Sequence, residues 1–293
     1  MAHLEANGIT IEYEDFGPVD GRPLILIMGL GSQLTRWPLV FCEHLVSAGH
    51  RVIRFDNRDV GLSSHLQDAG VPDMGAIMAA MLEGKAAPVP YTLDDMAADT
   101  AALMEGLELS AAHICGASLG GMIAQTLAIN EPQRVLSLTS IMSTTGNRDL
   151  PPATPEAMAA LMSPAATDRE GAARRTAEIA AVIGSPAYPA DPAELKERAL
   201  ADFDRATNPA GVARQMAAAA TQPDRRAALA ELRLPSLIIH GKDDPLVPVA
   251  GGIDTHEAIP GSELLVIEGM GHDLPRGLWP QISQAIARLT QGV

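Results

Sequence analysis

The feature that most narrows what this chain can become is a repeated alternation. Short apolar runs at Leu24 to Met28, Arg51 to Phe55, Ala112 to Gly116, Val135 to Met142, Pro235 to His240 and Ser262 to Ile267 are separated by longer, alanine-rich segments. Between the runs, apolar residues recur every three to four positions at Pro38 to Ala48, Leu93 to Leu107, Leu119 to Asn130, Gly251 to Ile259 and Pro275 to Gln291, the spacing of one helix face. Thr92 ahead of Asp94 and Asp95 puts a cap and acidic charge where a helix begins. Strand, helix and strand in this order call for crossover connections, so the chain is read as α/β, with a mostly parallel sheet and helices on both faces. Ahead of the alternation, His3 to Ala6 and Ile9 to Asp15 flank Asn7-Gly8; both turn residues tolerate positive φ, which predicts an antiparallel hairpin.

The alternation fails over residues 146–231. Periodicity there is helical with no convincing strand, and Pro151, Pro152, Pro164, Pro186, Pro189, Pro192 and Pro209 interrupt it. A helical insertion, or lid, is expected, dividing an α/β core into residues 1–145 and 232–293. A second irregular stretch, Ser64 to Pro90, carries Met74, Met78 and Met81 ahead of Pro88-Val89-Pro90 and is read as shaping the mouth of a pocket.

Composition enters as a filter on partners. A formal charge of -15 is repelled by phosphate backbones and by anionic membrane surfaces, so neither nucleic acid nor a membrane is an expected partner. Cys42 and Cys115 fall in segments that read as buried and have no disulfide or zinc spacing, so free thiols in a reducing compartment are expected. Met1 to Tyr13 lacks a basic patch followed by an apolar run, and no apolar run is long enough to span a bilayer; a cytoplasmic location is expected. No HExxH helix, cysteine–histidine cluster or GxGxxG after the first strand is present, so neither a metal nor another cofactor is expected.

The strongest chemical signal is Gly116-Ala117-Ser118-Leu119-Gly120, followed by Gly121, between the apolar run ending at Cys115 and the helix starting near Leu119. In a chain with 26 glycines such a pattern arises by chance, but here strand and helix flank the serine. A serine on a sharp strand-to-helix turn exposes its Oγ above the sheet, and the N–H groups of the following helix favour negative charge there.

A serine hydroxyl needs a base, and the base a carboxylate to orient it. His272, in Gly269-Met270-Gly271-His272-Asp273, follows the last apolar run and is assigned as the base. The other histidines fall in strands, on or beside helices, or in an early loop, and read as structural. The carboxylate is sought in Gly241-Lys242-Asp243-Asp244-Pro245, after the next-to-last run. Asp244 is favoured because a proline fixes its turn, with Asp243 read as capping the loop or facing water. After Met142, Ser143-Thr144-Thr145-Gly146-Asn147 offers no carboxylate. For the oxyanion, the backbone N–H of Leu119 is one expected donor. The Met28-Gly29-Leu30-Gly31 turn supplies the other at Leu30, with Gly29 as the alternative.

With these segments in view, the chain resembles the α/β-hydrolase superfamily, and within it the esterases related to aclacinomycin methylesterase. The resemblance covers nearly the whole chain. It rests on Met28 to Gly31, on Asp56-Asn57-Arg58-Asp59-Val60-Gly61-Leu62-Ser63, on the serine turn, on Gly241 to Pro248 and on Gly269 to His272. It implies a sheet of about eight strands with the lid inserted after the sixth. One departure is Met28, where many members carry histidine. Asp56, Arg58 and Ser63 match a segment that is mainly structural, and a buried polar network is expected of them.

The expected activity is cleavage of a small, apolar carboxylic ester through an acyl-enzyme. Cofactor-free haloperoxidase or perhydrolase, lactonase and carbon–carbon bond hydrolase activities use the same three residues, and a noncatalytic ligand receptor could keep the same scaffold. Gly29, Met122, Met158, Met162, Tyr188, Met216 and Met270 are the expected substrate contacts, on the argument that methionine suits adaptable apolar pockets, although methionine at helical spacing also reads as plain core.

Overall fold

A computed structural model describes residues 2–292. The chain opens with a hairpin, β1 (Ala2–Ala6) and β2 (Ile9–Phe16), joined through Asn7 and Gly8, which both take positive φ. The alternation follows: β3 (Arg22–Ile27), α1 (Leu39–Ser47), β4 (His50–Phe55), α2 (Met74–Leu82), α3 (Leu93–Gly106), β5 (Ala112–Ala117), α4 (Leu119–Asn130) and β6 (Val135–Ile141). After the insertion come β7 (Ser236–Gly241), α10 (Ala250–Ala258), β8 (Glu263–Ile267) and α11 (Trp279–Gln291).

The strands form one sheet in the order β1-β2-β4-β3-β5-β6-β7-β8. Only β2 runs against its neighbours; every pairing from β4 through β8 is parallel. The chain lays β4 on one side of β3 and β5 on the other, so the winding direction switches there, and a crevice opens beyond the carboxyl ends of β3 and β5.

Strand periodicity sorts the core into two layers. Ile25 and Ile27 of β3 join Ile53, Phe55, Ile114, Leu103 and Ile123 on the face covered by α3 and α4. Leu24 and Leu26 join Val52, Phe41, Leu45, Ile282 and Ile286 on the face covered by α1 and α11. All four β3 side chains are at most 1% exposed, which explains why the strand reads as continuously apolar. Cys42 and Cys115 are buried free thiols, and burial pushes Cys42 up to about 12.

Residues 142–235 between β6 and β7 hold α5 (Pro155–Leu161), α6 (Arg169–Ile183), α7 (Pro192–Arg205), α8 (Pro209–Ala220) and α9 (Arg226–Leu229). Two of the prolines that interrupt the periodicity, Pro192 and Pro209, are helix starts, as is Pro155 nearby. Pro155, Pro192 and Pro209 open α5, α7 and α8, and the side chains of Thr154, Asp191 and Asn208 accept hydrogen bonds from the exposed first-turn N–H groups. The stretch from Ser64 to Pro90 is more regular than its sequence suggests, because it contains α2, capped by Asp73. A helix composed as Met-Gly-Ala-Ile-Met-Ala-Ala-Met-Leu has no polar face to reveal its period.

Buried polar groups tie the insertion to the core. Asp59 receives a two-pronged ion pair from Arg214 of α8 at 2.6 and 2.7 Å, and also accepts from the Tyr91 hydroxyl at 2.9 Å. Burial alone would raise the Asp59 carboxyl, but Arg214, the Leu66 N–H and Tyr91 together hold it below the usual carboxylate range. Asp56 accepts from the N–H groups of Leu34 and Leu62 and pairs with Arg205 of α7 at 2.7 Å. Arg58 pairs with Asp99, and Ser63 bonds the Asp56 carbonyl and the Glu12 N–H. Among the described residues no helix is long and apolar enough to cross a membrane.

Candidate active site

Ser118 stands at the turn from β5 into α4 with φ +55° and ψ -119°, in the region an L-residue seldom enters. The turn is tight because its neighbours lack side chains. A Cβ on Gly116 would lie 2.0 Å from the Gly120 carbonyl oxygen, and one on Gly120 would lie 2.1 Å from that of Ile27. The strained backbone is held on both sides: Ser118 N–H donates to Ile141 at 2.8 Å, and its carbonyl accepts from the Ser143 hydroxyl at 2.8 Å. Ser143, just past β6, has no signature in the sequence beyond its position.

The Ser118 Oγ lies 3.0 Å from Nε2 of His272, and Nδ1 of His272 lies 2.7 Å from Oδ2 of Asp244. A carboxylate can only accept here, so Nδ1 carries the proton and Nε2 presents its lone pair to the serine O–H. The second Asp244 oxygen accepts from the N–H groups of Leu246 and Val247 at 2.9 and 2.8 Å, which locks the carboxylate in its turn. Asp243, next to it, accepts from Gly269 N–H at 2.8 Å and so ties the two loops together.

His240, at the end of β7, lies 3.6 Å from Asp244 Oδ2 and donates through Nε2 to the Val247 carbonyl at 2.8 Å. Burial holds its imidazole below the usual pKa, so it is a neutral prop under the aspartate turn. The loop carrying His272 is fastened to the insertion. His272 N–H donates to the Ile183 carbonyl at 2.7 Å, Gly271 N–H to the Ser185 hydroxyl at 3.0 Å, and Ser185 in turn donates to Asp273. Burial raises the Asp273 carboxyl.

Gly29 lies directly against the serine: a Cβ there would sit 3.2 Å from the Ser118 Cβ. The Met28 carbonyl is held by the Asn57 side chain at 2.9 Å, and Ser32 N–H donates to the Gly29 carbonyl. Among the described residues the N–H groups of Leu30 and Leu119 have no protein acceptor; Leu119 is the first residue of α4 and has none within the helix. Both residues pack in the same apolar cluster as Met122, which is 8% exposed on α4.

The remaining expected substrate contacts scatter. Met216 on α8 and Tyr188 after α6 are half-buried, and Tyr188 packs beside Gly277 on the cluster covered by α11. Met158 and Met162, on α5 and just after it, are exposed. Met270 is a correction: it is fully buried among Ile267, Leu278 and Ile282, so its side chain fills the core beneath the histidine loop and presents no accessible surface. Among the described residues there is no cluster of three or more His, Cys, Asp or Glu side chains that could hold a metal ion.

Comparison with known proteins agrees with this architecture. Residues 22–275 match the family described as alpha/beta hydrolase fold. The chain is 31% identical over 307 residues to the rhodomycin D methylesterase DnrP of Streptomyces peucetius, covering 97% of this chain and 95% of that protein. It is 28% identical to 3-oxoadipate enol-lactonase 2 of Acinetobacter baylyi, with 90% and 87% covered. Among solved structures, the meta-cleavage product hydrolase of Pseudomonas fluorescens superimposes with a TM-score of 0.76 at 19% identity, covering 100% of this chain and 98% of that one. With its reversed second strand, its switch point between β3 and β5 and a serine at the β5 turn, the chain belongs to the alpha/beta hydrolase fold family.

Proposed function

We propose that this protein is a serine hydrolase that cleaves a carboxylic ester through an acyl-enzyme. The observation that carries the reading is the unbroken row from Ser118 Oγ through His272 to Asp244, with hydrogen bonds of 3.0 and 2.7 Å. As Ser118 attacks the ester carbonyl, His272 Nε2 takes its proton, and Asp244 stabilises the imidazolium that forms. The carbonyl oxygen becomes an oxyanion between the free N–H groups of Leu30 and Leu119. His272 then protonates the departing alcohol, and in the second half it activates the water that releases the acid.

A methyl ester of an apolar acid is the substrate class this reading favours. Support comes from the methylesterase relative, which matches over nearly its full length, and from the apolar surroundings of Leu30, Leu119 and Met122. The helices of residues 146–231 are the lid. A lactone is a cyclic ester opened by the same steps, and the enol-lactonase relative favours it as a second reading.

The test is covalent. A fluorophosphonate should label Ser118 stoichiometrically in the folded protein, and Ser118→Ala should reduce ester turnover by at least about 10⁴-fold while leaving the fold intact. Wild-type protein that turns over no ester and leaves Ser118 unlabelled would overturn the proposal in favour of a receptor on this scaffold.

A further inference from the structure

Helix α8 belongs to the insertion, yet one of its faces is enclosed by the core. Gly211, Arg214 and Gln215 are all buried, at the i, i+3 and i+4 spacing of one helix face. The face rests on two loops at the carboxyl end of the sheet. Gly31 meets it so closely, at φ +61°, that a Cβ there would lie 2.8 Å from Val212. Arg214 is absorbed by its ion pair with Asp59. Gln215 does something different.

The Gln215 side chain is completely buried and spans the two loops. Its Oε1 accepts from the Gly31 N–H at 2.9 Å, and its Nε2 donates to the Arg58 carbonyl at 2.8 Å. Both contacts are used in the sense an amide requires, so its orientation is determined. Gly31 directly follows Leu30, whose N–H lacks a protein acceptor, and Asn57, directly before Arg58, holds the Met28 carbonyl at 2.9 Å. The turn that presents Leu30 is thus fixed at its near end by Asn57 and at its far end by Gln215, a residue that reaches in from the lid.

We propose that Gln215 is a positioning residue of the oxyanion hole, setting the direction of the Leu30 N–H by clamping Gly31 to the β4 exit loop. The proposal rests on the serine hydrolase reading above. An oxyanion donor acts through its aim, and a misplacement of about 1 Å is enough to cost on the order of 100-fold in rate. Gln215 touches no reacting atom, so its effect falls on the transition state and leaves ground-state binding nearly unchanged.

The test compares Gln215→Met, which keeps the length and removes both hydrogen bonds, with Gln215→Glu, which keeps an oxygen facing Gly31. For a 4-nitrophenyl ester, Gln215→Met should lower kcat about 10- to 100-fold with KM changed by less than about threefold. Affinity for a trifluoromethyl ketone, whose adduct places an oxyanion in the hole, should weaken by the same factor as kcat, and Gln215→Glu, whose second oxygen would face the Arg58 carbonyl oxygen in place of a donor, should lower both as well. Circular dichroism and a fluorophosphonate endpoint on Ser118 report the fold and the nucleophile separately. If Gln215→Met fails to fold, the same comparison on Gln215→Glu decides: kcat and inhibitor affinity falling together support the role, and wild-type values overturn it. A change confined to KM, or a kcat loss with inhibitor affinity unchanged, also overturns it. Absence of wild-type labelling at Ser118 is a failure of the hydrolase reading itself, and is thereby told apart from a failure of this one.

Discussion

The backbone N–H of His272 donates to the carbonyl of Ile183 at 2.7 Å, so the loop that presents the imidazole is bonded to the last turn of α6 in the insertion. Gly271 makes this approach possible: a Cβ there would lie 2.6 Å from the Ile183 carbonyl oxygen and 2.5 Å from that of Gly184. The neighbours are backbone and cannot rotate away.

Gly271→Ala therefore pushes the loop off α6 and carries the imidazole away from Ser118. We expect kcat for a 4-nitrophenyl ester to fall on the order of 100-fold, with a smaller change in KM. Steady-state kinetics measure this directly, and a variant with wild-type kcat would show that the contact is irrelevant to turnover.

The adjacent aspartates should behave differently. Asp244→Asn replaces the acceptor facing Nδ1 with a group that favours the wrong imidazole tautomer, and kcat should drop by about 10⁴-fold. Asp243→Asn retains an oxygen for the Gly269 N–H and should cost less than about 10-fold. Equal losses in the two variants would contradict the assignment.

Removing one half of the Arg214–Asp59 pair leaves a buried charge without its partner. Arg214→Met should lower unfolding free energy in urea by about 3–5 kcal/mol. Adding Asp59→Asn, which tolerates the positive φ of 69° at that site, should restore a measurable part of the loss.

His113, 1% exposed on β5 and bonded to Ser137, is held down from the usual 6.5 to about 4 by burial, then by His50 and Arg22. The unfolded chain takes up this proton first as the pH falls. Its stability contribution is complete above about pH 6.5 and is lost progressively down to about pH 4, amounting to at most about 3 kcal/mol. Urea unfolding at pH 7 and pH 4.5 should show the decline, and His113→Gln should make the slope shallower; an unchanged slope would assign the acid sensitivity to other groups.

Strands were the most legible part of the sequence, because continuous apolar runs such as Leu24 to Met28 can be satisfied only by burial on both faces. Helix α2 is not legible in the sequence for the converse reason, since uniform apolarity erases the period by which a helix is read. Proline signals interruption in the insertion, yet Pro192 and Pro209 mark beginnings, and the capping residue just before each is the clue.

Within the site, Ser118, Asp244 and His272 each sit at the end of a strand pattern, so their neighbourhoods could be read locally. Gln215 and Ser185 could not, because each acts through a partner at least 86 positions away and looks ordinary in its own helix or turn. Met270 misleads for a geometric reason. Two residues from His272, it points into the core while the imidazole points to the serine.

The double attachment of the insertion, to the histidine loop through Ile183 and Ser185 and to the Gly31 turn through Gln215, bears on engineering. On the proposed reading of residues 146–231 as a lid, a chimera that exchanges them for the equivalent helices of another hydrolase is expected to change substrate choice and catalytic alignment together. Grafts that carry these three anchoring positions across unchanged, and vary only α5 and the outward surfaces of α6 and α7, are expected to change selectivity with the least loss of turnover.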